Sequence, residues 1–360
     1  MITLAKTTLQ EAMKKCMPGV ETGASLIVGA DAFLFTPSYL HTYNDTIAVS
    51  TPLAAEGLEG AVKAADLYKL VTKINAPMIN IEVNAPEVKL SGGRTNARMT
   101  MIDATRVKEY ISTLGLETAE WKKLPGGFMD AVKLCKLSCN PSPLRGIAVA
   151  ASPDGTNAQV MSTDQSRISV GSLQGGMDPL WIDDPVVNDL MKLGDPAEYS
   201  MGGAWLHLKY ADGTIFSCKL KDCAQFPVTL FNSAVSSAVA APAILTGRLP
   251  KDLLEATARV STMASGIDGS SASLVRLTFK QEGLELYAKK DTGDASELVP
   301  WDQPLDQDPG KVAWVDTSFL VEAGRKAMDF KLVHSEGSET DTLVFTSEGF
   351  IQMVSTDVVE

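Results

Sequence analysis

The chain has 360 residues, 45% of them hydrophobic and 21% charged, with a formal net charge of −12. This length and apolar content suit two to three folded domains and exclude a disordered, fibrous or low-complexity protein. The acidic total excludes a simple basic nucleic-acid binder, although not a protein that segregates its charge.

No run of about 18 apolar residues is present, and the start MITLAKTTLQEAMKKC has no apolar stretch after its first Lys, so neither a membrane span nor a secretory signal is expected. Cys16, Cys135, Cys139, Cys218 and Cys223 are an odd, sparse set that reads as free thiols in a reducing cytoplasm.

Three stretches of about 120 residues repeat the same order of elements, which sets candidate domains at 1–120, 121–240 and 241–360. Opening helices are predicted at Thr7 to Met17, Gly127 to Leu137 and Leu249 to Met263, each with a large apolar residue three places before an Ala: Leu9 and Ala12, Phe128 and Ala131, Leu253 and Ala256. That spacing puts each pair on one helical face, with the small residue where a sheet must come close. Alternating stretches follow, broken by Asp-Gly or Glu-Gly turns, and predict antiparallel hairpins. A second helix is predicted in each third, at 60–74, 182–194 and 315–328, followed by a second set of strands. Residues 228–248, which include SSAVAAPAILTG, are too rich in small residues to be predicted as a core helix and read as an extended crossover.

Catalytic apparatus is sparse. His41, His207 and His334 stand singly in or beside predicted strands, and no nucleophile elbow, phosphate loop or dinucleotide fingerprint occurs. Neither an enzymatic activity nor a cofactor is expected. Cys135, Cys139, Cys218 and Cys223 are the nearest approach to a zinc set, and the intervals within each pair fit elements already assigned. Charge placement is more informative. Segments 4–17, 61–75 and 122–137 carry +2, +2 and +3, and together with 183–194, 251–264 and 316–329 they sum to +4, on a chain whose remainder is strongly acidic. Helices lining one surface would give mild, sequence-independent attraction to a phosphate backbone.

The repeat, the acidic total and several local motifs together resemble the bacterial DNA sliding clamp, the DNA polymerase III beta subunit family. STDQSRISV at 162–170 is similar to the family's ATDGHRLAV, and LRGIAV at 144–149 to its LNG and following strand. SGGRTNARMTM at 91–101, GTIFSCKLKDCAQFP at 213–227 and LPKDLLEATARVSTM carry the resemblance through all three thirds. Gln165 and Ser166 replace the family's Gly-His, the end IQMVSTDVVE departs from its usual ending, and SCNPSP before Leu144 lacks its aromatic residues. These departures suggest a divergent, phage-encoded member.

The resemblance implies an α+β fold of three clamp domains, each with two helices packed on antiparallel sheets, assembling as a homodimeric ring around double-stranded DNA. Its implied partners are a replicative DNA polymerase and a clamp loader, with no membrane and no cofactor, in the cytoplasm or nucleoid. A partner peptide would sit between the second and third domains on Leu144, Thr163, Gln165, Ser166, Arg167, Ile168, Pro227, Phe231, Ile351 and Met353. Leu144, Ile168, Ile351 and Met353 would form an apolar floor, while Thr163 and Arg167 would hold the peptide backbone. Lys14, Lys15, Lys69, Lys73, Lys133, Lys136 and Arg325 are the candidate DNA-facing residues. The strand at 94–101 would meet the end of helix 251–264 of a second copy, through Met99, Met101, Arg259 and Met263. An acidic, β-rich structural protein of a virion is the alternative from another class.

Overall fold

The computed structural model describes residues 1–24, 26–139, 143–264, 273–305, 308–334 and 340–356. Among them are eight α-helices: α1 (Lys6–Cys16), α2 (Ala64–Lys73), α3 (Thr105–Thr113), α4 (Phe128–Lys136), α5 (Asp184–Met191), α6 (Val228–Ala240), α7 (Leu253–Val260) and α8 (Thr317–Lys326). Six of these match the predicted helices, with later starts for α2, α5 and α8, because residues 60–63, 180–182 and 311–316 are strand.

The expected apolar–Ala pairs are all buried, with Leu9, Phe128 and Leu253 at 0–2% exposure. Ala131 shows why a small residue is required: a Cβ added to Gly171 on the facing strand would lie 2.7 Å from the Ala131 Cβ.

Four antiparallel sheets are built from half-repeats. Calling the strands after an opening helix the A half and those after the second helix the B half, each eight-stranded sheet joins the A half of one repeat to the B half of the next. In the first, Ile47–Pro52 pairs with Ile215–Lys219, with Ser50 opposite Ile215 and Ala48 opposite Ser217. In the second, Arg167–Ser172 pairs with Phe350–Ser355, with Ile168 opposite Met353 and Val170 opposite Ile351. Two four-stranded sheets remain, one ending on Thr95–Thr100 (a B half) and one on Gly293–Pro300 (an A half). The chain accordingly divides into two compact units, residues 1–124 with 185–221 and residues 125–184 with 222–360.

Two helices were not expected. Residues 228–248 are not an extended crossover: α6 spans Val228–Ala240 and only Ala243–Arg248 is strand. Alanine loses little side-chain entropy in a helix, and Phe231, Val235 and Ala238 recur at helical spacing to cover the second eight-stranded sheet. The counterpart α3 opens on Asp103, whose carboxylate accepts the Thr105 N–H at 3.0 Å, and lays Val107, Ile111 and Leu114 on the first eight-stranded sheet.

Candidate functional site: an apolar groove on the second sheet

The candidate site lies where an A half meets a B half. Side chains alternate across a strand, so Ile168 and Val170 share one face with their cross-strand partners Met353 and Ile351. On that face α6 packs Phe231 against Ala148, Met161, Val170, Trp181 and Phe226, with Leu144, Ile168 and Val228 partly buried at the edge. The Phe226 and Phe231 rings meet edge to face with centroids 5.2 Å apart. Further along α6, Ala238 packs with Val333 and Val344, and Ile351 and Met353 are partly buried against them. Leu144, Ile168, Ile351 and Met353 thus border one strip under α6, each half-buried. Residues 140–142, within the SCNPSP stretch, lie outside the described residues.

The turn leading into strand Arg167–Ser172 is built by Asp164. Its carboxylate accepts the N–H groups of Ser166 at 3.1 Å and Arg167 at 2.8 Å. Gln165 takes a left-handed φ of 79° in this turn, the position at which the family motif carries Gly. Gln165 and Ser166 are exposed and Pro227 is half-buried at the start of α6. Thr163 is buried, and its hydroxyl donates to the Arg167 carbonyl at 2.7 Å. Arg167 is buried as well, so neither side chain is offered to a ligand backbone as the resemblance implied. The Arg167 guanidinium reaches Asp164 and Glu322, and burial raises the Glu322 carboxyl above its ordinary range while the Arg167 charge pulls it down.

Of the expected cationic residues, Lys14, Lys69, Lys73, Lys133 and Arg325 are exposed. Lys15 is ion-paired with Asp212, Lys136 with Asp184 at 2.6 Å, and the exposed Lys133 with Asp130 at 3.8 Å. Met99, Met101 and Met263 are half-buried. Arg259 forms a two-pronged pair with Glu297, at 2.9 and 2.6 Å, on the edge strand Gly293–Pro300.

Among the described residues no group of three or more His, Cys, Asp or Glu is placed to hold a metal. The Cys135 and Cys139 thiols donate to the carbonyls of Val160 and Gly146, both at 3.3 Å. Burial pushes Cys139 up to about 12 and Cys135 higher still, which keeps both as thiols. His41 and His207 are structural: each Nδ1 is 2.8 Å from a serine hydroxyl, Ser50 and Ser217, and burial lowers both imidazoles to about 4. No described helix is long and apolar enough to cross a membrane.

Sequence reasoning placed the strip residues but missed α6, which covers them. The signal was present in the spacing of Phe231, Val235 and Ala238.

No family model and no curated protein matches the sequence. Solved structures match over nearly the whole chain. The DNA polymerase sliding clamp from Bacillus subtilis is similar at 14% identity and a TM-score of 0.80, covering 99% of each chain. The DNA polymerase III beta chain from Streptococcus pneumoniae covers the same share at 12% identity and 0.80. The Helicobacter pylori beta clamp bound to a DNA ligase peptide is similar at 15% identity and 0.77, over 99% of this chain and 100% of that one. Four antiparallel sheets built from half-repeats, with this full-length likeness, establish that the chain has the α+β fold of the bacterial DNA sliding clamp.

Proposed function

We propose that the protein is a DNA sliding clamp, a processivity factor that encircles duplex DNA and tethers a replicative polymerase through the groove beside α6. One observation carries the reading. Twice within the chain an A half pairs with the B half of the next repeat, and among the described residues the matching seam strands of the third A half, Gly293–Pro300, and of the first B half, Thr95–Thr100, are sheet edges. An edge of each kind invites the same pairing between copies, head to tail, and such contacts form a ring when the rotations close.

Two copies supply the six domains 1–120, 121–240 and 241–360 taken twice. Met99 and Met101 would flank one edge, and Arg259 and Met263 the other, with Arg259 already holding Glu297 of that strand. The helices then present Lys14, Lys69, Lys73, Lys133 and Arg325 to phosphates. Retention comes from enclosure, so contact with DNA stays weak and sequence-independent, and the ring slides. The role involves no reaction and no cofactor. A loader would open one interface, and the peptide of each partner would lay apolar side chains on Leu144, Ile168, Ile351 and Met353, with Met353 adapting to several of them.

Negative-stain imaging with sedimentation tests the proposal. A dimeric ring with a channel that admits duplex DNA is the expected outcome. A solid particle, or one without a channel, overturns it in favour of a structural assembly protein.

A further inference from the structure

Arg167 lies at the start of the strand that carries Ile168, yet its side chain is only 3% exposed. Its Nε donates to Asp164 at 2.8 Å, its terminal NH groups reach the Glu322 carboxylate and the Leu137 carbonyl, and its planar face rests 3.9 Å from the centre of the Phe319 ring. One guanidinium therefore joins three elements: the turn at 163–167, the end of α4 and the helix α8. These are the partners that a rigid fork of five donors over an aromatic face can satisfy together and an ammonium cannot. With three of its five donors so engaged and the side chain 3% exposed, it is turned away from a bound peptide.

Resting on the reading of the groove as a peptide site, we propose that Arg167 is a positioning residue. It pins the strand start to α4 and α8 on the face of the sheet opposite α6. Because adjacent strand residues point to opposite faces, this fixes Ile168 against Met353 on the groove side. Glu322 and Phe319 complete the pin, so Glu322, although it belongs to α8 and not to the groove strands, becomes a determinant of peptide affinity.

The test uses the full-length protein and the Helicobacter pylori ligase peptide as probe, with calorimetry and methyl NMR of Ile168 and Met353. Arg167→Lys and Glu322→Gln are each expected to weaken binding at least tenfold and to shift both methyl resonances. Unchanged affinity in Glu322→Gln, or weakened binding with unmoved methyl resonances in Arg167→Lys, overturns the proposal and makes Arg167 a direct contact. Absence of saturable binding by the unsubstituted protein overturns the reading of the groove itself.

Discussion

The two eight-stranded sheets share one plan, and their seams carry opposite polarity. On the face covered by α3, the first seam places Ala48 and Ser50 against Ser217 and Ile215, flanked by His41 and His207. On the face covered by α6, the second places Ile168 and Val170 against Met353 and Ile351, flanked by Met161 and Val344. The opposite faces are inverted: Val49 meets Phe216 in the first sheet, whereas Ser169 meets Gln352 in the second. Gln352 donates to Ser169 at 3.1 Å, and Ser169 is 2.6 Å from Ser138. At the first seam the mouth is also filled, by Tyr43 stacked on Tyr110 at 5.1 Å and tilted against Trp205. The same backbone thus yields one sealed polar seam and one apolar seam with partly open edges. Only the second suits a ligand that buries apolar side chains.

The sharpest break in this comparison concerns the two covering helices. Phe231→Ala should cost about 3–5 kcal/mol and expose the second sheet to hydrogen exchange, because the ring fills the space between Met161, Trp181 and Phe226. Val107→Ala in α3 should cost roughly 2 kcal/mol and expose only the first. Equal losses in both sheets would mean that the covers are not independent.

Acid should separate the units next. His41 and His207 are held neutral with pKa values near 4, against an ordinary 6.5, because burial disfavours the imidazolium. The unfolded chain binds these protons more readily, so the stabilisation is complete above about pH 6.5 and disappears as pH falls towards 4, by up to about 3 kcal/mol per imidazole. The second unit has only His334, which lies on an exposed strand end beside Asp341. Hydrogen exchange at pH 5 should therefore open the first sheet before the second, and His41→Gln with His207→Gln should flatten that slope. Identical acid profiles for the two units would contradict the sealed-seam account.

Binding gives a smaller contrast. Ile351→Ala with Met353→Ala should weaken a partner peptide by about 2 kcal/mol or more while the fold persists. Ile215→Ala with Ser217→Ala, at the corresponding places of the first seam, should leave affinity unchanged. Calorimetry on both double variants decides whether the groove belongs to one seam or to each.

Much of this was legible in the sequence, for reasons that differ by element. The apolar–Ala pairs of α1, α4 and α7 announce helices against a sheet because both periodicity and size are written locally. Ile168, Ile351 and Met353 could be named from a resemblance, but their register came only from pairing across almost 200 residues of chain. The helix α6 was hidden by its own composition: Ser and Ala read as a linker until Phe231, Val235 and Ala238 find a sheet to cover. Burial of Arg167 was invisible for a similar reason, since Glu322 and Phe319 lie in another repeat and an arginine in a turn ordinarily faces solvent.

The smallest effect probes the turn that opens each seam strand. Asp164 and Gln165 build it in the second unit, and Asn44 and Asp45 in the first, where the Asn44 side-chain Oδ1 accepts the Thr46 and Ile47 N–H groups. Gln165 and Asp45 both sit at left-handed φ, 79° and 72°. A side chain there costs about 1 kcal/mol, and glycine removes that cost while adding freedom to the unfolded chain. Gln165→Gly should then gain about 0.5 kcal/mol in urea unfolding. Asp45→Gly should gain less, because Asp tolerates this conformation better than Gln. A loss on Gln165→Gly would mean that the Gln side chain holds the turn through a contact of its own.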